Sequence, residues 1–408
     1  MKKIFVLLFV LFSLFTYSKG IDINGYVRNY DGMLLNDTTN FSIIQNTLDL
    51  KFSTKSSKVG FFVNPYVYQY NDGEIKFNLR EAYIDLYFDS FDLRIGKQQI
   101  IWGKADGVFI TDIISPKDLT EFLLRDFEEI RMGVTSVKFD YYIGDNTLEI
   151  VWVPVFSSTI LPPQNSIWAI TPDFPVQPNF DYSRKDITPS LENSEIFAKY
   201  SFFSSAIDFE IMGGYTWDAD PVIHTEKEFD MTTHQLLSLT AIPQHHRLTV
   251  VGGSFSTSLG PVVFRGEAAY YWGKYFQTND PTAFEGVVEK DYFNYLIGAD
   301  FNMFDINFSV QFIQQIIMDT DEFIVNNSTN NLMTFLAKKN INNETIHLEF
   351  FAYIGLTDGD ALIRPKISYD ITDGVNILLG ANIFLGDEGM FGRFNDNDMI
   401  YVKLKYSF

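Results

Sequence analysis

The chain closes on Asp398-Met399-Ile400-Tyr401-Val402-Lys403-Leu404-Lys405-Tyr406-Ser407-Phe408. Ile400, Val402, Leu404, Tyr406 and Phe408 share one parity; Met399, Tyr401, Lys403, Lys405 and Ser407 share the other. A strand has a period of two, so this stretch reads as a strand with one greasy and one wetter face. Nothing follows Phe408, and the strand is expected to close a sheet.

At the other end, Lys2 and Lys3 precede an apolar run from Ile4 to Phe12, extended by Leu14 and Phe15 and followed by Thr16, Ser18 and Gly20. A basic start, a short apolar stretch and small residues make residues 1–20 a secretory signal peptide, cut near Ser18 or Gly20. A spanning anchor needs about 20 apolar residues and a stop-transfer flank, and neither is present. Residues 21–408 are expected to be exported as a single domain.

The chain is 46% hydrophobic and 16% aromatic, yet no later run is long enough for a spanning helix. The apolar residues are spread in alternation, as tilted strands of about 9–11 residues around a membrane barrel require. The chain has no cysteine, which excludes disulfides, thiolate metal sites, a cysteine nucleophile and a lipoprotein anchor together. The formal charge is −21, and each lysine lost with the leader lowers it by one, to −23 once Lys2 and Lys3 go. Strong acidity argues against nucleic acid, which demands clustered Lys and Arg.

Period-two pattern and turn signals give about eighteen strands. They fall near 22–30, 41–54, 58–70, 75–88, 92–102, 131–143, 147–156, 194–203, 207–217, 247–258, 262–273, 291–303, 305–316, 332–340, 344–355, 361–370, 375–385 and 398–408; sixteen follows if one weak pair is discounted. Connection lengths alternate with parity. Brief turns such as Asp89-Ser90-Phe91 and Thr372-Asp373-Gly374 alternate with stretches such as 103–130, 157–193 and 218–246. Transmembrane barrels have short turns at one end and long loops at the other. The expected fold is therefore an all-β, antiparallel transmembrane barrel.

Parity assigns faces. Ile207, Phe209, Ile211, Tyr215 and Trp217 would meet lipid, and Asp208, Glu210, Met212 and Thr216 the lumen. Aromatics at strand ends, among them Tyr66, Tyr68, Tyr70, Tyr141, Tyr142, Trp272 and Tyr406, suit two interfacial girdles or cross-strand pairs.

Residues 79–118 read LREAYIDLYFDSFDLRIGKQQIIWGKADGVFITDIISPKD. This segment resembles a family of bacterial outer-membrane proteins, largely of unassigned function, with a Gly-Lys/Arg-Gln…Trp-Gly motif after an early hairpin. The matching positions are Arg80, Glu81, Tyr83, Arg94, Gly96, Lys97, Gln98, Trp102, Gly103, Asp106, Asp112 and Pro116. The resemblance covers about a tenth of the chain well, and it implies an outer-membrane barrel and channel. The last strand also resembles the ends of such barrels, which implies that Tyr406 and Phe408 are read by the barrel-assembly machinery.

Within that segment, Glu81, Tyr83 and Asp85 share lumenal parity with Arg94, Gly96 and Gln98 across a hairpin, so Arg94 is in reach of Glu81, Tyr83 or Asp85. Gly96 and Gly103 would mark places where another segment comes close. Ser115-Pro116 reads as a helix start, with Leu119, Phe122, Leu123 and Phe127 at helical spacing, a helix either narrowing the pore or capping the rim. The proline-rich loop 158–192 is expected to be ordered without regular structure and to fold inward, because Ile167, Trp168 and Phe174 would be costly in water.

Lumenal parity also sorts charge. Arg28, Lys51, Arg364, Lys366, Lys403 and Lys405 gather on the opening and closing strands. Glu149, Glu195, Asp208, Glu210 and Glu267 gather halfway round, interrupted by Lys199 and Arg265. Opposed arcs of this kind imply a transverse field, as in general porins that the arrangement resembles, orienting polar solutes. His224, His234, His245 and His246 lie with Glu226, Glu228 and Asp230 in one loop, but the spacing matches no metal-ligand pattern. His347 has no nucleophile context, so no enzyme, cofactor or metal is expected.

The sequence therefore leads to a porin-like outer-membrane channel for passive diffusion of small hydrophilic solutes, with inward loops 103–130 and 157–193 setting the width. Its partners would be outer-membrane lipid, the assembly machinery and polar solutes, with oligomerisation open. The alternatives are a substrate-specific uptake channel, with Tyr83, Tyr87, Phe197, Phe351 and Tyr353 as an aromatic slide, or a plugged structural or adhesin barrel.

Overall fold

The computed structural model describes residues 20–408 apart from 37–40, 71–72, 171–173, 175 and 234; the leader, save Gly20, and His234 thus lie outside the described residues. The first seven strands are β1 (Asp22–Leu34), β2 (Phe41–Lys55), β3 (Val59–Gln69), β4 (Ile75–Tyr87), β5 (Phe91–Gln98), β6 (Val134–Ile143) and β7 (Asn146–Val153). A two-residue β8 (Asn179–Phe180) precedes β9 (Glu195–Phe202), β10 (Asp208–Trp217), β11 (Val222–Phe229) and β12 (Leu236–Gln244). Then come β13 (Arg247–Leu259), β14 (Val262–Gln277), β15 (Val287–Met303), β16 (Ile306–Ile317) and β17 (Thr329–Ile341). The last are β18 (Ile346–Gly355), β19 (Asp360–Thr372), β20 (Val375–Leu385) and β21 (Met399–Ser407).

Eighteen of these pair antiparallel with their neighbours in one sheet, all but β8, β11 and β12, and β1 pairs with β21, so the sheet is a closed barrel without edges. The seam runs from Tyr26 opposite Ser407 to Leu34 opposite Met399. Gly25 and Phe408 add two backbone hydrogen bonds, 2.9 and 3.0 Å, beyond its last rung. Every strand expected from period two is present. The connection 218–246, read as plain loop, instead contains the β11–β12 hairpin, to which β8 adds a parallel rung. Loop 158–192 is therefore not wholly irregular.

The outer surface shows what surrounds the barrel. Ile23, Ile84, Ile196, Ile211, Ile297 and Leu379 all point outward and are exposed, while their strand neighbours Glu210 and Met212 are buried. A continuous apolar belt on the outside of a closed sheet is stable in hydrocarbon and not in water. Tyr215, Tyr406 and Phe408 are exposed at strand ends, where an interfacial girdle places them. Tyr66, Tyr68 and Tyr70 depart from that scheme: they share the inward parity of the buried Asn64, contact one another ring to ring and face Arg80 and Arg125.

Candidate functional site: a segment folded across the lumen

The chain does not stay on the rim after β5. Gly96, with φ +138°, lets β5 pass so near β4 that a Cβ there would lie 2.2 Å from the Ala82 carbonyl oxygen. Lys97 Nζ donates to the Leu79 carbonyl at 2.7 Å, and the buried Gln98 side chain donates to Ser136 O at 3.3 Å. The Glu81 carboxylate accepts from Gln99 N at 2.9 Å.

The turn inward is then made by Asp112. Its Oδ1 accepts from the backbone N–H groups of Trp102 and Gly103, each at 2.8 Å, and its Oδ2 from Arg131 Nη2 at 2.6 Å. A side chain at Gly103 would start 3.0 Å from that carboxyl carbon. Ser115 Oγ both accepts from Ile100 N and donates to Ile100 O. Ser115 is thus not a helix cap. Residues 117–119 run extended, with Asp118 N bonded to Ile130 O and Leu119 N to Ile160 O, and Phe122 has φ +53°. Rungs on both sides outweigh local helical spacing, and only the single turn Phe127–Ile130 is helical in this stretch.

The segment Gln99–Met132 touches strands on every side of the closed barrel. Glu129 meets Arg28 of β1 at 3.0 Å, Gln45 of β2 donates to Glu121 at 3.3 Å, and Glu128 O accepts from Arg80 of β4 at 3.0 Å. Trp102 Nε1 donates to Glu149 of β7 at 2.6 Å, and Lys104 pairs with Glu210 of β10 at 3.3 Å. Glu267 of β14 accepts from the N–H of Lys104, the N–H of Thr111 and the Thr111 hydroxyl. Arg265, also on β14, pairs with Asp106 and Asp300. Gln311 of β16 donates to Asp106 O at 2.8 Å and Tyr353 of β18 to Gly107 O at 2.6 Å. Arg364 of β19 donates to the carbonyls of Leu123 and Leu124, and Lys403 of β21 reaches Asp126 at 3.5 Å. Only a segment standing inside the barrel can make these contacts together.

Three apolar footings fix it. Ile100, Trp102 and Ile114 pack with Val151, Phe197 and Met212. Ile110 packs with Val250, Leu296 and Ile313. Phe122 and Leu124 join Trp168, Phe384, Phe391 and Tyr353. Phe351, Tyr353 and Phe197 are therefore core under the segment and not an aromatic slide. Loop 154–194 is brought inward at Thr159, Ile160 and Trp168, while Leu191 near its end is 82% exposed.

The opposed arcs of charge are largely met by local partners. Asp126 and Glu129 are carried in against Arg28 and Lys403, and Arg364 is spent on the carbonyls of the segment. On the acidic side Lys138 and Lys199 interleave with Glu149 and Glu210, and Glu195 accepts from Thr216 and Trp217. Below the segment, Lys366 and Lys338 flank Glu349 at 2.9 and 3.3 Å. Arg94 forms a bidentate pair with Asp85, 2.6 and 3.0 Å, and lies 3.9 Å from the Tyr83 ring centroid. Lys405 lies over Tyr26; neither Lys51 nor Asp208 forms an ion pair among the described residues.

Two spaces beside the segment differ sharply in size. Between Arg28, Tyr66, Arg80 and Arg125 there is a crevice of about 20 Å³, room for a water. Across the barrel, a cavity of about 770 Å³ lies over the segment on the β14–β19 side.

Outside, His224 of β11 and His246 meet through their Nε2 atoms at 2.8 Å, with Glu285 on His224 Nδ1 and the Tyr275 ring stacked on His246. Burial and the neighbouring His224 push His246 down to about 4. No metal-holding group of three ligands occurs among the described residues. Sequence reading missed this contact because it joins two elements across an unrecognised hairpin.

Comparison with known proteins places the fold. The structure is similar to OccK3 (OpdO) of Pseudomonas aeruginosa, with a TM-score of 0.56 and 11% identity over 97% of both chains. It is similar to Pseudomonas aeruginosa OccK2 (OpdF), solved in complex with glucuronate, at 0.55 and 11% identity over 95% of this chain and 96% of that one. Acinetobacter baumannii OccAB3 follows at 0.54 and 10% identity, over 95% and 98%. No curated protein matches the sequence. A family model described as a protein of unknown function (DUF1302) matches residues 29–336, well over half of the 408, and the chain belongs to that family.

Proposed function

We propose that this protein is an outer-membrane channel passing small hydrophilic solutes by restricted diffusion, with the segment Gln99–Met132 setting the width. The observation that carries this reading is the tethering of one segment to strands all round a closed, lipid-facing barrel. A barrel needed only as a shell gains nothing from such an internal bridge, whereas a pore gains a constriction. The glucuronate in one similar solute-binding structure is itself small and hydrophilic, which supports that class of cargo.

The lumenal charges belong to the same proposal. Lys51, Lys405, Arg94 and Asp208 in the lower lumen, with the paired Glu349 and Lys366, would tune which ions pass. Arg28, Arg364, Glu210 and Glu267 would act indirectly, by holding the segment. The alternation of the last strand, with Tyr406 and Phe408 outward, supports recognition by the barrel-assembly machinery.

Planar-bilayer recording of the purified mature chain tests the channel. Discrete, ohmic current steps are expected. A second reading, a barrel closed to solutes, draws on the narrow crevice beside Arg80 and the three apolar footings; a silent bilayer with correctly folded protein would establish it and end the first.

A further inference from the structure

The cavity over the segment has a layered wall. Asn294, Gln315 and Asn330 stand directly opposite one another on β15, β16 and β17, so their inward side chains form one row of amides. The rung below is apolar, Leu296 opposite Ile313 opposite Leu332. On the rung above, Tyr292 faces Ile317, and the Phe276 ring lies 6.0 Å from that of Tyr292. Asn330 donates to Gln315 at 3.3 Å. Asn294 is 5% exposed, and its Oδ1 has no hydrogen-bond partner. A buried amide oxygen left so is destabilising unless a donor comes to it.

We propose that this wall is a binding site for a neutral, hydroxyl-rich ring, a sugar of one or two units, met on its way into the channel. The inference rests on the channel reading and names its solute class. A hydroxyl donates to Asn294 Oδ1 and accepts from Gln315 in the same row, while the C–H faces of the ring lie against the apolar rungs and the Tyr292 ring. An ionised carboxylate offers acceptors only and leaves Asn294 Oδ1 unmet. Nor does any cation stand in the amide row itself. Lys274 is held by Asp218 at 2.6 Å, and Lys117 lies over the Phe109 ring with Asp220 in the same lining. Arg393, at the rim, donates to the Gly389 carbonyl at 2.6 Å, and Asp360 is occupied by the N–H groups of Phe391 and Gly392. About 770 Å³ accommodates one or two sugar rings.

The test is interruption of single-channel current by glucose and maltose, against glucuronate, which keeps the ring and adds a carboxylate. Saturable block by the neutral sugars is expected. Asn294→Leu should raise the half-saturating concentration about tenfold, the value of one hydrogen bond. Gln315→Leu should act the same way, and Asn294→Asp, which keeps an acceptor, should retain most of the affinity. Wild-type current indifferent to neutral sugars, block by glucuronate in preference to glucose, or a leucine variant equal to wild type would each overturn the site. If no current is seen at all, the channel reading has failed; tryptophan-fluorescence titration of the folded protein with the same sugars then decides the site alone.

Discussion

Replacing residues 104–128 with a short Gly-Ser bridge is expected to raise single-channel conductance several-fold. Among the described residues the segment alone meets β1, β4, β10, β14, β18 and β19 together, so its removal opens the lumen from wall to wall. The cut spares Trp102, Gly103 and Glu129–Arg131, and the barrel seam lies elsewhere. It leaves Phe197, Leu296, Tyr353 and Phe384 facing water, so lower thermal stability should accompany the larger current. Heat-modifiable mobility reports that the barrel has closed. A correctly closed variant with wild-type conductance would show that the segment does not limit flow.

The second large effect lies on the opposite face of the wall. Ile211 is 51% exposed at mid-strand, flanked inside by Glu210 and Met212. Ile211→Lys sets a charge in hydrocarbon and should cost about 2–4 kcal/mol if its depth is near the bilayer centre. Ser256→Lys, on the adjacent β13 and inward, stands opposite Asp208 in the water-filled lower lumen and should be close to neutral. Urea unfolding from lipid bilayers measures both. Equal cost at the two positions would contradict the assignment of faces.

How far the sequence reaches is visible in these same residues. Alternation located every barrel strand, because burial on one side only leaves a period of two wherever a strand runs. Gly96, Trp102, Gly103 and Asp112 stood out through the resemblance carried by the 79–118 segment, not through alternation, and the structure bonds the N–H groups of Trp102 and Gly103 to Asp112 just beyond the point where β5 leaves the wall. The purpose of lumenal aromatics was not legible. Phe351 and Tyr353 have inward parity whether they line a pore or lie under a plug, and only long-range contacts with Phe122 and Gly107 decide between the two.

Two further misreadings have the same origin. Leu119, Phe122 and Leu123 recur at helical spacing, yet Asp118 and Leu119 pair with Ile130 and Ile160, and the chain then turns, with Phe122 N bonded to Leu119 O and Phe122 at φ +53°. The arcs of Arg28, Arg364 and Lys403 against Glu149 and Glu210 looked like an open field because the sequence does not say that Asp126, Glu129 and Lys138 come to meet them. The β11–β12 hairpin escaped because its strands are mixed in polarity, lying above the membrane where neither face needs to be uniformly apolar.

The chain has no cysteine, so single cysteines can be placed without background. The most direct measurement is current through Leu119→Cys, on the segment beside the cavity, before and after a charged, membrane-impermeant thiol reagent, with the outward Ile211→Cys as reference. The current through Leu119→Cys is predicted to fall stepwise while that through Ile211→Cys stays constant. An unaffected Leu119→Cys channel, or one blocked from Ile211→Cys instead, would contradict a solute path that runs inside the barrel past this segment.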